Sequence, residues 1–304
     1  MKRALLRLAK ACGLFALSRW LTRRDLRILC YHGIWLGPGQ FGDFLYMSAD
    51  KFRERVRFLE QAPYPVVTLD AAVAGLADGS LPDAATVITI DDGWYGTQAH
   101  MVPALAKAGL PATLYSTTYY AETQQPVFHM IVRYMLSVAP AAEVDLSALG
   151  PPFAGTVDLA APGARGGLGA QVIGHGEREL DRAGRTDLAR RLGELIGVDF
   201  ATLDAGRVFH MMTLDELRAA PGQGIDVQLH THRHHFPSGE STPAAFDTLR
   251  DLGIASVTTT EQGLVRAGAN VYALPRLLDG ESVDLVEFEA ELSGFGDLVR
   301  RLRP

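Results

Sequence analysis

The chain has 304 residues and a mass of 32.9 kDa, with 29 Lys and Arg against 35 Asp and Glu, a formal charge of −6. That length buries a sizeable core as one large domain or two small ones, and 47% hydrophobic with 21% charged residues excludes wholesale disorder. The mild acidity argues against broad nucleic-acid binding. Two cysteines, Cys12 and Cys30, cannot make a disulfide framework and read as buried thiols.

The charge is uneven. Residues 1–24 carry Lys2, Arg3, Arg7, Lys10, Arg19, Arg23 and Arg24 and no acid, leaving 22 bases against 35 acids elsewhere. On a helical wheel Arg3, Arg7 and Lys10 fall on one side and Leu5, Leu8, Cys12 and Phe15 on the other. This basic amphipathic segment is too charged to span a bilayer, and it lacks the uninterrupted apolar run and cleavage site of a signal peptide. Two readings stand side by side: a helix lying in the plane of an anionic membrane surface, or a terminal helix packed on its own domain.

Beyond it, short runs rich in Val, Ile and Thr at 26–31, 65–69, 86–90, 112–117, 225–230 and 254–259 predict strands. They are continuous rather than alternating, as parallel strands covered on both faces should be. Helices are expected between them at 49–61, 71–77, 99–108 and 243–252, several closed by glycine as at Gly109 and Gly253. Alternation of this kind predicts an α/β fold with a parallel sheet, open or closed into a barrel. The pattern breaks between about residues 121 and 212, where helical pieces at 127–138 and 186–196 surround an Ala/Pro/Gly-rich middle at 150–169. Such a departure reads as an insertion, a lid or substrate wall. Thr213 and Glu216 have capping-box spacing, which makes Asp215 and Glu216 structural. Residues 283–302 read as one final helix with acids first and bases last, burying Leu285, Phe288 and Leu292.

Two segments carry chemistry. TIDDG (89–93) runs from a strand into adjacent carboxylates, and HTHRHH (230–235) holds four of the nine histidines just past another strand. Residues at the C-terminal ends of parallel strands face the functional mouth. His230 and His234 are spaced so that two imidazoles converge on one metal, and a hydrolytic site needs a carboxylate besides. Asp91 and Asp92 offer two, one to bind the metal and one to take a proton from water. Alone, DDG is most often a turn and HxxxH a pair of ordinary histidines; together at strand ends they favour a metal site.

At these residues the sequence resembles the polysaccharide deacetylases of carbohydrate esterase family 4, which share the NodB homology domain and the motifs [ST]-[FI]-D-D-G and H-[ST]-x-x-H. The likeness extends through LCYHGI (29–34) and VPALAKAGLPATLY (102–115), over roughly residues 25–120 and 213–282. It implies a distorted (β/α) barrel, with residues 1–24 as an N-terminal helix and 25–304 as the catalytic domain. It also implies removal of acetyl groups from N-acetylated amino sugars, with Asp91 as base and Asp92, His230 and His234 holding a divalent metal, usually zinc. One βα unit is missing, because residues 235–240 run almost straight into the next helix. No histidine follows His235 to serve as general acid, so the candidates are His32, with Arg276 and Asp279 able to orient the base. Each also has a purely structural reading: His32 as a backbone partner, Arg276 and Asp279 as a surface pair.

The expected substrate is a carbohydrate, polymeric, soluble or lipid-linked, in a bacterial glycan or its precursor. The lack of a signal peptide leads us to expect a cytoplasmic body, with peripheral contact at the inner membrane face through residues 1–24. The alternatives are a carbohydrate-binding relative that has lost activity and a small-molecule deacetylase.

Overall fold

Six short strands lie side by side in parallel: β1 (Arg27–Tyr31), β2 (Thr86–Ile90), β3 (Ala112–Ser116), β4 (Ile225–Leu229), β5 (Thr258–Gln262) and β6 (Leu274–Leu278), in the order β4-β3-β2-β1-β6-β5. This is a computed structural model, and it describes residues 2–42, 44–140, 142–232 and 243–302. No ladder joins β4 to β5 among the described residues. Strands from across the sheet nevertheless share one inner layer, because Tyr115 on β3 packs in the same buried cluster as Val87, Ile28 and Leu274.

Strand periodicity sorts side chains between two layers. Leu29, Tyr31, Ile88, Ile90, Leu114 and Leu277 face outward onto the helices Ala49–Gln61, Val102–Ala108 and Leu285–Leu292. Ile28, Val87, Tyr115 and Leu274 face inward, where Leu26, Leu69, Leu81 and Val265 close the floor. Both layers are apolar, which is why the strands read as continuous hydrophobic runs. The connecting helices start where short polar side chains cap them. Ser48 accepts from the Lys51 N–H, Thr68 from that of Ala71, and Thr213 with Glu216 completes the expected capping box.

Several expectations are corrected. Residues 65–69 make no strand: Val66 forms a single bridge to Thr86 before the helix Leu69–Asp78 begins. The fifth strand lies later than 254–259, and β6 was not expected at all, because LPRLL carries a proline and an arginine that mask its strand character. The final helix is two, Leu285–Leu292 and Phe295–Arg301, parted at Gly294, whose φ of +77° a residue with a Cβ rarely adopts. Its buried residues are Val286, Phe288, Ala290 and Leu292, with Leu285 only partly covered. Cys30 is buried, but Cys12 is exposed.

Between β3 and β4 the chain builds a helical body from Phe128–Val138, Ala164–Glu179, Arg182–Ile196 and Phe200–Ala205, with an antiparallel pair at Glu143–Asp145 and Thr156–Asp158. The Ala/Pro/Gly-rich stretch at 150–169 thus contains the start of a helix at Ala164. Ile131, Met135, Val172 and Leu192 form its centre, and Trp35, Tyr46 and Trp94 from the sheet's upper loops join the same cluster. The insertion therefore packs directly against the loops that carry the candidate site.

Candidate active site

At the end of β2 the chain continues as Asp91, whose N–H donates to the Tyr31 carbonyl (2.8 Å), and then turns sharply. Asp92 takes φ +71° and Gly93 φ +84°. A left-handed residue other than glycine costs about 1 kcal/mol or more, and such strain gathers at functional sites. Its effect is to send two adjacent carboxylates, both under 4% exposed, into different surroundings.

Asp91 faces inward with the residues that alternate onto the same layer, Cys30 and Thr89, and with Arg276 from β6. Its two oxygens accept from both terminal nitrogens of Arg276, at 2.7 and 2.8 Å. This planar two-point pairing fixes the carboxylate's orientation. Arg276 is held in turn by the Thr259 carbonyl (3.0 Å). The Cys30 thiol donates to the same carboxylate at 3.8 Å, and His32 Nε2 stands 3.9 Å from it. Burial, with the Asp91 charge next to it, pushes the Cys30 thiol pKa well up, so the sulfur stays protonated.

Asp92 faces the mouth. One oxygen accepts from the Trp94 indole N–H at 2.8 Å, and its carbonyl accepts from the Thr117 N–H and hydroxyl, both at 3.2 Å. Its other oxygen lies 3.3 Å from His230 Nε2. His230 is placed by its own N–H donating to the Ser116 carbonyl, which extends the β3–β4 ladder past the strand. His232 turns elsewhere, with Nδ1 2.8 Å from the Thr118 hydroxyl. His234 and His235 lie outside the described residues.

The structure thus brings Asp91, His32 and Arg276 together and places Asp92 beside His230. Asp279, expected near Arg276, is instead 2.8 Å from the Arg55 Nε, with both side chains buried. The surface pair expected between Arg276 and Asp279 does not exist. Sequence reasoning missed three neighbours: Cys30, Trp94 and Arg55. The first was legible in principle, since Cys30 and His32 are two apart and share a strand face.

Two groupings offer metal donors. Cys30, His32 and Asp91 each present a ligand atom within 4.8 Å of the others, and this group could hold a metal ion. Both oxygens of Asp91 are already engaged by a guanidinium, however, and the thiol resists losing its proton. Asp92 and His230 fit better. Ligand bonds of about 2.0–2.1 Å at the tetrahedral angle put neighbouring donor atoms about 3.3–3.4 Å apart, and these two stand at 3.3 Å. Trp94 holds the remaining Asp92 oxygen, as the outer partners of metal-bound carboxylates do.

Among solved structures, a Streptococcus pyogenes deacetylase, PplD, in complex with acetate, aligns over 88% of this chain and 98% of its own, with a TM-score of 0.54 and 13% identity. The chain has the NodB-type deacetylase fold. A polysaccharide deacetylase from Bacillus cereus also aligns (15% identity, 88% of this chain, 69% of the other, TM-score 0.46), as does IcaB from Ammonifex degensii (19%, 88%, 97%, 0.44). No family model matches the sequence, and no curated protein matches it.

Proposed function

We propose that this NodB-type chain is a metal-dependent hydrolase that removes acetyl groups from N-acetylated amino sugars of a glycan or glycan precursor. The observation that carries it is the division of labour between Asp91 and Asp92: one carboxylate clamped by Arg276 inside the sheet, the other paired with His230 at the mouth.

In this reading Asp92, His230 and His234 hold a divalent metal, and zinc suits their mixed nitrogen and oxygen donors. The bound metal supplies Lewis acidity toward the acetyl carbonyl. Asp91 takes the proton of the attacking water. Arg276 and the Cys30 thiol occupy three of the carboxylate's roughly four lone-pair positions, so the remaining one defines where that water must sit. His32, 3.9 Å from Asp91, delivers a proton to the leaving amine. The substrate is a saccharide whose acetamido group reaches Asp91 and Asp92, and a lipid-linked precursor suits a chain held at a membrane surface.

The test is acetate release from a chitooligosaccharide by the purified protein, with chelator and after zinc is restored. Release that chelator abolishes and zinc restores is the expected result. A folded, metal-loaded protein that binds the oligosaccharide and releases no acetate would overturn the catalytic reading in favour of a binding protein.

A further inference from the structure

Residues 2–21 form two helices, α1 (Lys2–Ala11) and α2 (Leu14–Leu21), joined at Gly13. They pack on the chain's last two helices, and of the apolar stripe expected from the sequence Phe15 is buried there while Leu5, Leu8 and Cys12 are exposed. Leu6, Ala9 and Phe15 sit on Val286, Ala290 and Phe295. The basic flank of α1 meets the acidic start of the helix Leu285–Leu292, with Arg3 3.2 Å from Glu287 and Lys10 2.5 Å from Glu289. Ser18 and Thr22 complete the buried side.

This packing turns the apolar side out. Of the thirteen large apolar side chains exposed among the described residues, six lie here: Leu5, Leu8, Leu14, Leu17, Trp20 and Leu21, each 40–61% exposed. Such clustering makes a patch rather than the scatter of single residues usual on a surface. The outward side of α2 bears no charge. At its border stand Arg7, 3.9 Å from Asp284, and Arg24, 3.9 Å from Asp83, with Arg23 4.9 Å from the Trp20 ring. Residues 1–24 hold seven bases and no acid, and the ion pairs described for them reach four acids, Asp83, Asp284, Glu287 and Glu289.

We infer that this face docks in the plane of an anionic lipid surface. Charge chooses the occupant. A second copy of the same face would set two borders with a surplus of bases against each other, whereas anionic headgroups complement that surplus. An indole at the border of an apolar patch, beside arginines, is the arrangement of interfacial helices. No helix among the described residues is long and apolar enough to cross a membrane. The first turn of α1 lies beside Ser282 and Asp284, just past the mouth end of β6. The hairpin therefore runs along the flank of the molecule, with one end near the candidate site.

The experiment uses the full chain with vesicles of phosphatidylcholine alone and of an equal mixture with phosphatidylglycerol. Trp20 is exposed and the other two tryptophans, Trp35 and Trp94, are buried, so the change in indole emission reports this face. Anionic vesicles should shift the emission to the blue, brominated lipid should quench it, and Trp20→Phe should remove both signals. Leu17→Glu with Leu21→Glu should cut co-sedimentation by about tenfold or more. Leu252→Glu, at an exposed site elsewhere, should leave it unchanged. High salt should weaken binding without abolishing it. Deacetylation of a soluble oligosaccharide should be the same in all variants, which separates this test from that of catalysis. No quenching in the unaltered chain, or equal sedimentation of the Leu17/Leu21 variant, would overturn the inference. So would a concentration-dependent dimer, broken by that variant, in a chain that binds no vesicles.

Discussion

Asp91 and Asp92 are neighbours with different partners because the backbone turns left-handed at Asp92. Asp91→Asn keeps the shape but cannot take a proton, so kcat should fall about 10²–10⁴-fold with metal content retained. It also leaves Arg276 buried opposite a neutral amide, which should cost about 3–5 kcal/mol in denaturant unfolding. His230→Ala should instead lose most of the metal, read by elemental analysis, while unfolding stays near the parent value. If the Asp91 variant loses metal and the His230 variant keeps it, the roles are reversed. The two carboxylates and His230 were legible in the sequence, because turn chemistry and strand ends are local properties. Arg276 was a candidate to orient the base, with a surface pair to Asp279 as its alternative; the pairing of β1 with both β2 and β6, which brings Arg276 to Asp91 from 185 positions away, decides between them.

At the scale of elements, the sheet and its crossover helices follow from short-range pattern, whereas their ends depend on packing. Gly96, just after the Asp92 turn, shows this. A Cβ there would run into the Ile34 carbonyl oxygen, which is backbone and has little room to move. Gly96→Ala should destabilise the protein by about 1–3 kcal/mol, seen as a lower melting temperature, and should also lower activity by displacing the loop that carries Trp94. An unchanged melting temperature would mean that this loop shifts freely. The C-terminal helix shows the opposite failure of pattern reading. Its charges and apolar period run through Gly294, but Thr22 packs where a side chain on Gly294 would go, and the helix breaks there.

On the scale of the whole molecule, the insertion is bound to the sheet through one buried region, and His210 lies at that junction. Its carbonyl accepts from the Tyr95 N–H beside the Asp92 turn, and its ring is almost fully covered. Burial pulls its pKa below the ordinary 6.5, although Asp204 at 3.3 Å opposes this. Between the lowered folded value and 6.5 the unfolded chain binds more protons than the folded one. His210 therefore contributes its full stability above pH 6.5 and loses it as pH falls through that window, because the buried ring must either stay neutral or take up a proton away from water. Thermal unfolding should show a fall in melting temperature between pH 7 and 5.5 that His210→Gln reduces; an identical fall in the variant would place the pH sensitivity elsewhere. By itself the sequence determined the alternation of strands and helices, the capping box at Thr213 and the position of both motif segments at strand ends, because each depends on residues within a few positions of one another. Only the tertiary structure decided that Arg276 clamps Asp91, that Asp279 belongs to Arg55, and that the N-terminal hairpin turns its leucines outward. Those depend on which surfaces meet: the acidic helix Leu285–Leu292 satisfies the basic flank of α1, and the side left over is apolar.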